Sequence, residues 1–159
     1  MRLKAYLISV LAGYCLVRGN RIRARKWFDR YFALEPAPHA MPLAQDAFLK
    51  ILEDRGSEAR SRFLECLENA ESDPGGMNDY IAIYCRFWIA VYDPKVSCQQ
   101  TLKILSNAHD AKESKWFKLN FPLPSSKVVA RIKEDPPTAP LSAERWAFPT
   151  HNVRVTFSE

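Results

Sequence analysis

Few side chains in this sequence are of the kinds that do chemistry, and their spacing gives them little to work with. His39, His109 and His151 lie in or beside expected turns, and none has a neighbouring Ser, Cys or acid in a nucleophile arrangement. There is no Gly-rich phosphate loop and no H-E-x-x-H motif, so no catalytic residue is assigned and no enzyme is expected. Cys15, Cys66, Cys85 and Cys98 form no C-x-x-C pair, and no histidine stands at metal-ligand spacing from any of them. They read as small hydrophobes, free thiols of a reducing cytoplasm. No metal and no cofactor is implied.

The remaining chemistry is that of binding. Arg86 is the only charged residue between Tyr80 and Tyr92. With Tyr80, Tyr84 and Trp88 as stacking surfaces it could hold an anion or carboxylate of a partner. The competing structural reading has Arg86 reaching the surface or pairing with an acid. Arg18, Arg21, Arg25 and Lys26 form a second candidate, a patch for an anionic partner, against the plain alternative of a solvated helix face. The charge is uneven. Residues 1–36 carry eight basic and two acidic side chains, residues 37–75 four and eight, residues 76–110 balance, and residues 111–159 carry an excess of three basic.

These residues need elements to position them. Residues 3–17 read as an apolar helix broken by Gly19-Asn20, and Asn20 caps a second helix over 21–35. Pro36 and Pro38 end that helix. A third helix covers 42–54, and Gly56-Ser57 breaks it, with Ser57 capping a fourth over 58–71. Asp73-Pro74-Gly75-Gly76 is a turn. A fifth helix, 79–92, is so apolar that it must be buried on several sides. Asp93-Pro94 starts a sixth, to Ala108. A seventh is expected over 112–119 and a short one from Ser125 or Ser126 to Ile132. Residues 135–149 form a Pro-rich connector. Val153, Val155 and Phe157 alternate like a strand whose nearest mate is 118–121.

At 13 residues, the apolar stretch Ala5–Val17 is short for a membrane span. It also lacks the small-x-small site that closes a signal peptide. A core helix in a cytoplasmic protein is expected, with no transmembrane span.

A pattern repeats along the chain. Ala24, Phe28 and Tyr31 are echoed 35 residues later by Ala59, Phe63 and Cys66, and 39 after that by Cys98, Leu102 and Leu105. The breaks at Gly19, Gly56 and Asp93 are 37 residues apart each time. Three helical hairpins follow: 3–35, 42–71 and 79–108. They resemble the tetratricopeptide repeat (TPR), a helical hairpin of about 34 residues with a small–aromatic–small pattern in its second helix and a closing proline. Leu11-Ala12, Ala24, Phe28 and Pro36 match in the first unit. Ala47, Ala59, Phe63 and Cys66 match in the second, which lacks the proline. The third is degenerate, with Cys98 and Leu102 in the small and aromatic places.

The resemblance implies an all-α fold, three antiparallel hairpins stacked as a short right-handed solenoid. Residues 1–110 would form the repeat domain. Residues 111–159 would be an irregular extension, including a short strand pair, that packs back on it. The resemblance also implies binding of a peptide on the face lined by the first helices, and hence a non-enzymatic adaptor or chaperone-like scaffold for a peptide or helix of another protein. Chaperone-type grip of a C-terminal carboxylate is not expected, because Ser9 and Gly13 stand where the first such ligands would fall. The alternative is a basic accessory protein that binds RNA, DNA or an anionic surface through its first hairpin. The apolar helices 3–17 and 79–92 need cover, from neighbouring repeats, from residues 115–159, or from a partner helix or homodimer mate.

Overall fold

A computed structural model of the chain describes residues 3–110, 121 and 123–134. The described residues form helices and their connections: α1 (Leu3–Val17), α2 (Arg21–Leu34), α3 (Ala40–Leu52), α4 (Gly56–Ser72), α5 (Met77–Tyr92), α6 (Cys98–Asp110) and α7 (Ser126–Glu134). The helix expected over 112–119, the connector at 135–149 and the strand at 153–157 lie outside the described residues.

Local sequence explains most boundaries. Gly19 takes a left-handed φ of 74° after α1. The Gly19 N–H reaches Leu16 O and the Asn20 N–H reaches Cys15 O, both at 2.9 Å, which closes the helix in a Schellman turn. Asn20 then caps α2, its side-chain oxygen accepting from the Arg23 N–H at 3.0 Å. The same turn ends α3, with Asp54 in the left-handed place at φ 58°. There the Asp54 N–H bonds to Ile51 O and the Arg55 N–H to Lys50 O. The break is therefore at Asp54, not at Gly56-Ser57 as the sequence suggested. Gly56 sits inside the first turn of α4, where a Cβ would lie 3.0 Å from Tyr92 Cε1.

α6 also starts later than expected. Asp93 Oδ1 accepts the Lys95 N–H at 2.9 Å in a turn of its own. Ser97 and Gln100 then form a reciprocal capping box. α7 ends against α5, where Lys133 Nζ donates to the carbonyls of Ala90, Asp93 and Val96 at 2.6, 2.8 and 2.8 Å.

Helices adjacent in the chain pack on one another. In addition α1 touches α3, α3 touches α5, and α7 rests on α6 and α5. α3 is the centre, with every residue buried except Met41. The Trp88 ring joins three helices, at 6.1 Å from both Phe48 of α3 and Phe63 of α4 and 6.4 Å from Tyr92 of its own helix. Ala24, Phe28, Tyr31, Ala59, Phe63 and Cys66, the repeated small and aromatic positions, are fully buried. In the third unit Leu105 is buried, while Cys98 and Leu102 are half-buried.

Candidate interaction surface on the first hairpin

α1 has apolar side chains on all sides, and only one side has a partner within the described residues. Ala5, Ile8, Ala12 and Leu16 point inward. Ala5 and Ile8 meet Tyr31, with Trp27, Phe32 and Leu34 of α2 around them, while Ala12 and Leu16 join the main core. Gly13 lets α3 come close, since a Cβ there would stand 2.9 Å from Gln45 Oε1. On the other side Leu3, Tyr6, Leu7, Val10, Leu11 and Tyr14 are 42 to 75% exposed. This is the densest run of exposed large apolar residues among those described. Elsewhere such residues are scattered, as with Ile22, Leu64, Met77 and Tyr80.

The four basic candidates do not act as one patch. Arg18 stays exposed and folds onto Tyr14, its Nε donating to the phenol oxygen at 3.1 Å and its guanidinium 5.5 Å from the ring centre. Lys26 is exposed and makes no polar contact with the described residues. Arg21 is engaged in the fold, donating to Leu52 O at 2.7 Å across the end of α3. Arg25 is likewise engaged, grasping Glu53 with two bonds of 3.0 and 2.7 Å and Asp46 with one of 2.6 Å. Burial pushes the Arg25 guanidinium's pKa down, but the carboxylates of Glu53 and Asp46 outweigh this and hold it above its ordinary value. Two of the four residues read from sequence as partner-binding are therefore internal ties.

Asp46 is the centre of those ties. Its side chain is 1% exposed. Arg25 of α2 holds Oδ1, and Arg62 Nε of α4 lies 3.0 Å from Oδ2, close enough for charge attraction though not aligned as a hydrogen bond. Arg62 also bonds Glu65 at 2.6 Å and lies over the Phe32 ring at 4.7 Å. One buried carboxylate thus pins the second helices of two hairpins to the first helix of the second hairpin. Sequence reading missed this residue. The available signal was the only charged residue in the mostly apolar Pro42–Leu49 stretch.

The four residues chosen on α5 do not share one exposed surface either. Tyr84 and Trp88 lie in the core. Tyr84 packs edge-on against Phe121 at 5.1 Å and Phe63 at 5.9 Å. Burial pushes its phenol pKa well up, with the Trp88 indole pulling the other way. Tyr80 and Arg86 are exposed, and Arg86 Nη2 bonds Glu71 Oε1 of α4 at 2.6 Å. The spacing held the reason: Tyr84 and Arg86 are two residues apart, and such positions on a helix face away from each other.

Cys66 and Cys85 are buried, Cys15 and Cys98 half-buried, and all four are free thiols. Cys66 Sγ donates to Ala40 O at 3.1 Å. Burial pushes the Cys85 thiol well up. Among the described residues no cluster of three His, Cys, Asp or Glu could hold a metal ion, and no helix is long and apolar enough to cross a membrane. Comparison with protein-family models, with curated proteins and with solved structures finds no match for the chain.

Proposed function

We propose that the protein is a non-enzymatic interaction module in which three TPR-like hairpins stack as a short solenoid and the outward face of α1 receives a partner protein. The contacts of α1 with α3 and of α3 with α5 support the stacking, since successive first helices must touch in such a solenoid. The observation that carries the docking face is the run Leu3, Tyr6, Leu7, Val10, Leu11 and Tyr14, exposed along one side of α1. A helix face that meets water is ordinarily polar, and this face of α1 is apolar. The partner site shifts from α5, where Tyr84 and Trp88 are core, to α1. Binding of nucleic acid through the first hairpin is the weaker reading, because Arg21 and Arg25 already spend their guanidinium groups inside the fold.

A photo-crosslinking amino acid at Val10, with Glu65 on the exposed side of α4 as control, tests the reading in cells that make the protein. Covalent adducts to another polypeptide from position 10 but not 65 are expected. Adducts at neither position, or only to nucleic acid, would overturn it.

A further inference from the structure

We propose that the occupant of the α1 face is an amphipathic helix of another protein whose apolar stripe is bordered by acidic residues; this rests on the interaction-module reading above. The exposed side chains at positions 3, 7, 10 and 14 recur at the three- and four-residue steps of a single helix face, with Tyr6 and Leu11 widening it. Eleven residues of rise make a ridge of about 16 Å, three helical turns, which is the length over which one helix packs along another.

The charge around the ridge selects the partner. α1 contains no acidic residue. Lys4 is exposed at one end and Arg18 at the other, where its contact with Tyr14 fixes the positive group to the edge of the apolar face. α2, which packs against the buried side of α1, adds the exposed cations Arg23, Lys26 and Arg30 to the first hairpin, Arg30 lying over Trp27 at 4.9 Å. Asp29 is the one exposed acid of that helix, 3.8 Å from Arg25. A complementary helix carries Glu or Asp on its borders.

Other occupants fit less well. A second copy would set Lys4 and Arg18 against Lys4 and Arg18, with no acid on either α1 to offset them. Residues 135–159 contain Asp135, Glu144 and Glu159 against Arg145 and Arg154, a nearly even balance that supplies no acidic border for the ridge. An anionic bilayer, which the same cations would attract, is told apart by the vesicle arm of the test below.

The test is a displayed library of 18-residue helices with a fixed leucine stripe and Glu, Lys or Ala at the bordering positions, selected on the full chain. Glu-bordered sequences are expected to be enriched. Their affinity should fall at least about tenfold in Val10→Asp. In Lys4→Glu with Arg18→Glu the preference should invert towards Lys-bordered sequences, which a purely apolar contact would not do. Enrichment without border preference, or no enrichment, overturns the inference. So does Val10-dependent flotation with phosphatidylserine vesicles, or a Val10-dependent dimer in sedimentation equilibrium. If position 10 crosslinks a protein in cells while the library shows no acidic preference, the module reading stands and this inference alone falls.

Discussion

Replacing Asp46 with asparagine should be among the most damaging single changes in the first two hairpins. The side chain is almost completely buried, and its oxygens face Arg25 at 2.6 Å and Arg62 at 3.0 Å. Removing one partner of a buried ion pair costs about 3–5 kcal/mol, because the surviving charge is left without compensation. Here two charges survive, but each retains exposure of 21% and 26% and keeps a second carboxylate, Glu53 or Glu65. The lower end, about 3 kcal/mol, is therefore expected. For a chain of this size that lowers Tm by about 6–12 °C. Urea unfolding followed by tryptophan fluorescence reads the change, with an unchanged m value indicating that the transition itself is preserved. A triple variant, Asp46→Leu with Arg25→Met and Arg62→Leu, should recover most of the loss, since the buried carboxylate and both guanidinium groups leave together, Glu53 keeps Arg55, and the exposed Glu65 turns to solvent. An Asp46→Asn protein within about 0.5 kcal/mol of the parent, the range of an ordinary surface change, would refute the reasoning. So would a triple variant no more stable than the single one.

Asp54→Gly should stabilise the protein by about 0.5–1 kcal/mol, because φ 58° strains any residue with a Cβ. Burial already pushes the Asp54 carboxyl pKa up, though Arg21 draws it down, and thermal melts at neutral pH will show the gain. Lys133→Met should cost about 1–3 kcal/mol, because Val96 O loses its donor and Ala90 O and Asp93 O are left with only the backbone N–H groups of Asp93 and Val96, and should raise amide exchange in α7 before any other helix. At high pH the buried phenols of Tyr31, Tyr84 and Tyr92, all pushed up by burial, hold their protons while the unfolded chain releases them. The folded state then binds more protons, so stability is complete below about pH 10 and falls as pH rises beyond it, by up to about 1.4 kcal/mol per pH unit for each phenol. Denaturant midpoints between pH 8 and 11 will register the decline.

The helices were legible in the sequence because their signals are local. Asn20 is a cap, Gly19 and Gly75-Gly76 are turns, and the alanine–aromatic spacing of α2 and α4 marks their inner faces. The misplaced boundaries came from residues standing in for expected ones. Asp54 occupies a left-handed position usually given to glycine, and Gly56 answers to the Tyr92 ring, a contact 36 residues away. The binding residues were harder. Arg21 and Arg25 look like a free basic stripe until α3 supplies Leu52 O, Glu53 and Asp46, and no spacing within α2 announces those partners. The apolar excess of α1 was visible at once, as was its need for cover. Which half of it α2 and α3 bury depends on the placement of Tyr31 and Gln45, and that is a property of packing.

Hydroxyl-radical footprinting of the 159-residue chain tests the bare α1 face most directly. Tyr6 and Tyr14 should be oxidised at rates approaching those of the urea-unfolded chain, while Tyr84 in the same molecule stays protected. Protection of Tyr6 and Tyr14 equal to that of Tyr84, relieved when residues 135–159 are deleted, would show that the chain covers its own ridge and holds it for no partner.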